Sequence, residues 1–305
     1  MLEKNILLII NPKAGKCKGI KKMPDIVRTI QSKGFLPTVL LTEKAGDARR
    51  YACEYGGRAN IICCVGGDGT FSEVVSGIVE GGHSTPIGYL PSGSTNDYAA
   101  SLHLSPDLCA AAEQVLDGVA QAFDIGLFNG HPFAYVAAFG MPAKVSYSVP
   151  QNIKNVLGHF AYILEGIRDL HALRAEAMAV HVDEEILEGK YLMGCFSNTM
   201  SIGGVLQFSP EDAIMDDGYL EVLLVSRPST AREVTKMIYA LRTRNYGDCP
   251  CITYRKAKKA TIISENKLPW TIDGECMEDF RQSEIETLPK KIHVMVPDKN
   301  GPNAP

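Results

Sequence analysis

Four short runs in the first 120 residues are apolar from end to end. They are Ile6-Leu7-Leu8-Ile9-Ile10, Val39 to Leu41, Ile61 to Val65 and Ile87 to Leu90, and helical patterns separate them. A strand with one wet face alternates, whereas a strand covered on both faces does not. Such runs separated by helices predict a parallel sheet with helices on both sides. The intervening helices are expected from about Pro24, from near Asp47 to Gly56-Gly57, and over Phe71 to Val79 before Gly81-Gly82. A further helix is expected at Ser105-Pro106, with Ser105 as N-cap and Pro at the first helical position.

The pattern changes near Asp124. Two strand-like runs flank Asn129-Gly130, the strongest short hairpin signal. A long amphipathic helix is expected over Gln151 to Leu173. Strands follow at Ala175 to Val182, Tyr191 to Phe196, Leu220 to Val225, Cys251 to Ile263 and Lys291 to Val296. A helix opened by the capping-box pattern Thr230-x-x-Glu233 interrupts them. The second half is thus rich in antiparallel β-structure. A length of 305 residues suits two domains.

Composition removes whole classes of function. Apolar residues make up 45% and charged residues 22%, which excludes global disorder. A net charge of −4 argues against a chain dominated by nucleic-acid binding. No run approaches the roughly 20 apolar residues that span a bilayer. The nine cysteines are odd in number and scattered, as reduced thiols are. Cys249-Pro-Cys251 lacks a second pair at zinc spacing. A cytoplasmic protein is expected.

The chemistry is concentrated in loops after the strands. Gly66-Gly67-Asp68-Gly69-Thr70-Phe71-Ser72-Glu73 follows a strand and opens a helix. Glycines there allow close backbone approach, and N–H groups at a helix start face an anion. Asp68 would repel a phosphate unless a cation stood between them, so it points to Mg²⁺. Thr70-x-x-Glu73 reads as a capping box. Asn11-Pro12-Lys13-Ala14-Gly15-Lys16 follows the first strand, Thr42 the second, and Pro91-Ser92-Gly93-Ser94-Thr95-Asn96-Asp97 the fourth. Ligands bind at the carboxyl edge of open parallel sheets. No P-loop, dinucleotide G-x-G-x-x-G or protein-kinase signature is present.

With Glu73, the Gly66-Gly67-Asp68-Gly69-Thr70 and Gly93-Ser94-Thr95-Asn96-Asp97 segments resemble the bacterial diacylglycerol kinase family of soluble lipid kinases. Gly203-Gly204, Pro210, Asp216-Asp217-Gly218 and Asp273-Gly274-Glu275 continue the resemblance in order along nearly the whole chain. It implies an N-terminal NAD kinase-like α/β nucleotide domain, residues 1–124 with 288–305 returning to it. It implies a C-terminal antiparallel β-sandwich over 125–287, with the active site between the two. Asn11, Pro12, Lys13, Ala14, Gly15, Thr42, Gly66, Gly67, Asp68, Gly69, Thr70, Glu73, Ser94, Thr95, Asn96 and Asp97 would contact ATP. Glu275 would be the general base, with Asp273 and Asp68 also catalytic. Mg²⁺ would be held by Asp217, or Asp216, and by carbonyls of Ile214 and Tyr219.

Ser72, Ser94-Thr95 and the lysines flanking the first loop depart from the commoner family pattern. The resemblance implies ATP- and Mg²⁺-dependent phosphorylation of a lipid hydroxyl, diacylglycerol first. Phosphatidylglycerol, a sphingoid base or, on the same fold, NAD are the alternatives, and a non-catalytic nucleotide-gated module is a third reading. The expected partners are a lipid at a membrane surface and a second copy in a homodimer, with no nucleic acid. Membrane attraction would be local, from Lys18, Lys21 and Lys22 or from Arg255, Lys256, Lys258 and Lys259, and transient at the inner face of the cell membrane.

Overall fold

The computed structural model describes residues 4–140, 174–199, 201–202, 206–207, 214–243 and 245–298. The expected helix at Gln151 to Leu173, Gly203-Gly204 and Pro210 lie outside the described residues. The chain forms two compact units, one from Met1–Phe123 with Lys290–Pro305, the other from Asp124–Pro289.

The first unit is the predicted parallel sheet. β1 (Lys4–Ile10) lies between β2 (Phe35–Leu41) and β3 (Ile61–Gly66), and β4 (Ile87–Pro91) lies beyond β3. Ile6 pairs with Ile61 and Ile62 with Ile87, so the apolar runs lie side by side. Ile6, Leu8, Ile10, Cys63, Val65 and Leu90 share one core with Ile26 and Ile30 of α1 (Lys18–Ser32). α2 (Asp47–Tyr55), α3 (Asp68–Glu80), α4 (Asp97–Ser101) and α5 (Leu108–Asp117) complete the unit. The chain moves from β1 outward to β2, then back across β1 to β3. The strand order therefore reverses at β1, the place where open α/β sheets bind ligands.

Two helix starts differ from expectation. α1 begins at Lys18, so Pro24 lies inside it. Gly15, Lys16 and Cys17 adopt left-handed conformations and turn the chain into the helix early. α5 begins at Leu108 rather than at Pro106. Asp107 caps it by accepting from the N–H groups of Cys109 and Ala110, both at 3.0 Å. A carboxylate reaches both orphan donors, which the Ser105 hydroxyl does not.

The second unit is antiparallel. β5 (Val119–Phe128), whose later residues belong to it, and β6 (His131–Phe133) form the Asn129-Gly130 hairpin, with both turn residues at positive φ. β7 (Val136–Gly140), β8 (Glu176–Val182) and the long β9 (Glu185–Ser197) follow, then the short pair β10 (Ser201–Ile202) and β11 (Leu206–Gln207). β12 (Leu220–Ser226) precedes α6 (Ala231–Thr243). β13 (Ile252–Ala257), β14 (Lys259–Leu268), β15 (Trp270–Ile272), β16 (Glu275–Cys276) and β17 (Phe280–Val296) close the chain. β17 returns to the first unit, where Val294 pairs with Ile87.

The expected single strand from Cys251 to Ile263 is two strands broken at Lys258. The Asp183 carboxylate fixes that break by accepting from the N–H groups of Lys258 and Lys259. Trp270 is fully buried among Phe128, Phe139 and Phe196 in the sandwich core, so its role is packing. Cys249 and Cys251 are buried free thiols under α6.

Candidate active site

Within the first unit, the loops after β1, β3 and β4 meet. The Asn11 side-chain amide donates to the Thr70 hydroxyl at 3.0 Å, and its oxygen accepts from the Lys13 N–H. The Asn11 N–H in turn donates to the Val65 carbonyl. Gly15 sits at φ +51°, where a Cβ would lie 1.6 Å from the Ser92 carbonyl oxygen. Only glycine allows this approach and this conformation together. A Cβ on Gly93 would lie 2.5 Å from the Cα of Gly67, so the two glycine turns touch main chain to main chain. Gly69, in the first turn of α3, faces open space. Thr42 is tied to the same edge by its N–H on the Ile10 carbonyl, and Lys13 Nζ reaches the Glu43 carbonyl at 3.4 Å. Pro12 and Ala14 are half-buried in the first loop, Ser94 is exposed and Thr95 half-buried.

The capping box expected at Thr70 and Glu73 does not form. α3 already begins at Asp68, because the extended backbone of Gly67 starts the helix three residues earlier. The Thr70 hydroxyl serves Asn11 instead. Glu73 Oε2 accepts from the Ala48 N–H at 3.1 Å, tying α3 to the start of α2.

Asp68 has a defined structural task. Its carboxylate accepts from the N–H groups of Asp97 and Tyr98, each at 3.2 Å, and so holds the first turn of α4. Burial, and next the nearby Asp97, push its carboxyl up to about 6 despite those N–H donors. The Tyr89 hydroxyl stands 3.4 Å from Asp68 Oδ1 and 3.3 Å from Asn96 Oδ1. Asn96 occupies the left-handed region at φ 56°. Its side chain closes on the Gly93 N–H at 2.9 Å and the Gly93 carbonyl at 3.1 Å. Tyr89, Phe71 and Tyr98 stack behind the two turns. Sequence reading treats Tyr89 only as part of an apolar strand. The one available signal is a hydroxyl just before the strand's polar end.

In the second unit, Asp273-Gly274 is the two-residue turn of the β15–β16 hairpin, with both residues at positive φ and Ile272 paired with Glu275. The Glu275 side chain is exposed and makes no hydrogen bond or ion pair with other described residues. Asp273 differs sharply. Its carboxylate accepts from the N–H groups of Ala134 at 2.9 Å, Tyr135 at 3.0 Å and Val136 at 2.8 Å. Asp273, which the resemblance places among the catalytic residues, thus has its oxygens engaged by main-chain N–H groups.

Of the expected Mg²⁺ ligands, Asp217 has other partners in this structure. Asp217 accepts from Lys256 Nζ at 2.7 Å and from the Tyr219 N–H at 3.0 Å. An arriving cation would meet that ammonium group. Ile214 is exposed, Asp216 half-buried, and the Tyr219 ring carries Lys258 Nζ at 5.1 Å. Among the described residues no cluster of three His, Cys, Asp or Glu side chains gathers to hold a metal. Asp124, read from sequence only as a boundary, is fully buried there and accepts from the Gly218 N–H at 2.6 Å. Asn198, also fully buried, donates to the carbonyls of Asp124 and Met215 at 2.5 and 3.2 Å.

A parallel α/β sheet with a glycine-walled cradle, followed by an antiparallel β-sandwich, is the architecture shared by lipid kinases, phosphotransferases with an alcohol group as acceptor. Residues 5–128 match the diacylglycerol kinase catalytic domain, and residues 135–296 match the YegS C-terminal NAD kinase beta sandwich-like domain. The chain is 31% identical to a diacylglycerol kinase of Staphylococcus saprophyticus, over 90% of each chain. It is 30% identical to the Bacillus subtilis diacylglycerol kinase, over 96% of this chain and 97% of that one. The crystal structure of a diacylglycerol kinase from Bacillus anthracis strain Sterne shares the fold. Its TM-score is 0.74 at 22% identity, covering 97% of this chain and 98% of that one. Another solved chain of that strain gives a TM-score of 0.82 at 24% identity, covering 96% and 95%. This chain belongs to the diacylglycerol kinase family.

Proposed function

We propose that this chain transfers the γ-phosphoryl group of ATP to the hydroxyl of a lipid, with diacylglycerol the leading acceptor. The observation that carries this reading is the cradle in which Gly15, Gly67 and Gly93 bring three loops into main-chain contact at the carboxyl edge of the sheet. Triphosphate needs such backbone donors and little covalent help. The names of the curated relatives favour diacylglycerol over NAD.

Glu275 is the proposed base. It is exposed on a two-residue hairpin, so a carboxylate is available to take the proton of an incoming hydroxyl. Asp68 is the carboxylate proposed to face a Mg²⁺ arriving with the nucleotide, since it opens α3 at the glycine turn where the phosphates would lie. Bound there, Mg²⁺ would neutralise charge on the phosphate oxygens.

No described helix is long and apolar enough to cross a membrane. A lipid acceptor would then be met at a bilayer surface. Of the two basic clusters, Lys18 and Lys21 at the start of α1 are exposed, whereas Lys22 pairs with Asp25. Arg255, Lys256 and Lys259 are paired with Glu185, Asp217 and Glu286. The α1 cluster is the better candidate for anionic headgroups.

The test is transfer from labelled ATP to diacylglycerol, phosphatidylglycerol, a sphingoid base and NAD in mixed micelles, with products identified by mass spectrometry. Diacylglycerol is expected to be labelled, and labelling of NAD alone would refute the proposal. Glu275→Gln is expected to lower kcat by about 10²–10⁴-fold.

A further inference from the structure

We propose that Asp273 is a positioning residue for the reaction, and that its clamp on the 134–136 main chain sets where Glu275 stands. The inference rests on the assignment of Glu275 as base.

Three N–H groups in a row converge on one carboxylate at 2.8–3.0 Å. Such charge-assisted bonds are short and directional. The Asp273 N–H returns a bond to the Val136 carbonyl at 2.8 Å, so the turn and the 134–136 segment are joined in both directions. Glu275 lies two residues on, across the turn, and Ile272 beside it pairs with Ala137. The hairpin's register on β7 therefore depends on this carboxylate. The clamped segment is itself anchored. The Tyr135 carbonyl accepts from the Ser197 hydroxyl at 3.0 Å and from the Asn198 N–H at 3.3 Å. Asn198 in turn holds the carbonyls of Asp124 and Met215. A continuous hydrogen-bonded path thus runs from the 215–218 loop to the hairpin that presents Glu275. A base must sit within hydrogen-bond reach of the proton it takes, and a misplacement of about 1 Å costs on the order of 10²-fold in rate.

The experiment compares Asp273→Gly, Asp273→Asn and Glu275→Gln by steady-state kinetics with ATP and diacylglycerol. Glycine keeps the left-handed turn and removes the clamp. Asparagine also accepts this conformation, and its one oxygen can still serve two of the three N–H groups. A positioning role predicts that Asp273→Gly lowers kcat by about 10²-fold. It predicts that Asp273→Asn loses clearly less, with the KM for ATP unchanged in both. Amide hydrogen exchange at Ala134, Tyr135 and Val136 should accelerate in the same order. Equal loss in the glycine and asparagine variants, matching Glu275→Gln, would make Asp273 a reacting acid and overturn the proposal. Full kcat in Asp273→Gly would also overturn it. Full kcat in Glu275→Gln would remove the base assignment, and the proposal with it.

Discussion

Asp68 Oδ2 receives the main-chain N–H of Asp97 at 3.2 Å, so the acid that opens α3 also holds the start of α4. The two glycine loops are therefore joined by a carboxylate as well as by contact. The arrangement is electrostatically costly, because Asp97 is itself an acid and both are withdrawn from water.

The cost has a sign that can be measured. The Asp68 carboxyl is raised from 3.8 to about 6 in the folded protein. Between those values the folded state binds more protons than the unfolded state, so stability falls as pH rises through the window. Asp68→Asn removes that loss. The Tm of the variant relative to the parent should climb between pH 4 and 6 and level off above pH 7. A difference that is flat with pH would show that Asp68 titrates near its ordinary value.

Gly15→Ala tests the cradle. The new methyl group meets the Ser92 carbonyl oxygen, and the residue must hold φ +51°. A loss of stability on the order of 1–3 kcal/mol is expected, with nucleotide affinity falling at least tenfold as the loops separate. Thermal unfolding and titration with a fluorescent nucleotide measure the two effects.

Tyr89→Phe keeps the ring on Phe71 and removes only the hydroxyl shared by Asp68 and Asn96. One lost hydrogen bond is worth about 0.5–1.5 kcal/mol. The KM for ATP is expected to rise a few-fold with kcat largely retained. An unaltered KM would show that the two turns hold their spacing without it.

Lys256→Met leaves Asp217 without its 2.7 Å partner and removes the ammonium 3.9 Å from the buried Glu221. A destabilisation of about 1–3 kcal/mol is expected by chemical unfolding. If the ion pair alone occupies Asp217, the loss is the same in EDTA and in excess Mg²⁺. Recovery by Mg²⁺ would show a cation taking the place of Lys256.

The architecture was legible in the chain because it follows from local pattern. Apolar runs separated by helices hide both faces only in a covered parallel sheet, and β1, β3 and β4 align three such runs, whereas the run in β2 leaves Leu41 exposed. Asn129-Gly130 produced its hairpin because both residues accept positive φ. Glycine loops at strand ends were legible for the same reason, since their need for close approach is written in their residue type.

The partners of the carboxylates were decided by tertiary structure. Asp68, Glu73, Asp217 and Asp273 all read as acids available for chemistry or caps. Which donors reach them depends on segments brought near by folding, such as Ala48 for Glu73, 25 residues away, and Ala134 for Asp273, 139 residues away. A carboxylate accepts from any N–H group that folding places within reach. Sequence therefore determines where the acids stand along the chain, and packing determines which are consumed as clamps. Glu275 faces solvent, whereas Asp273, two residues earlier, meets all three N–H groups of the 134–136 segment.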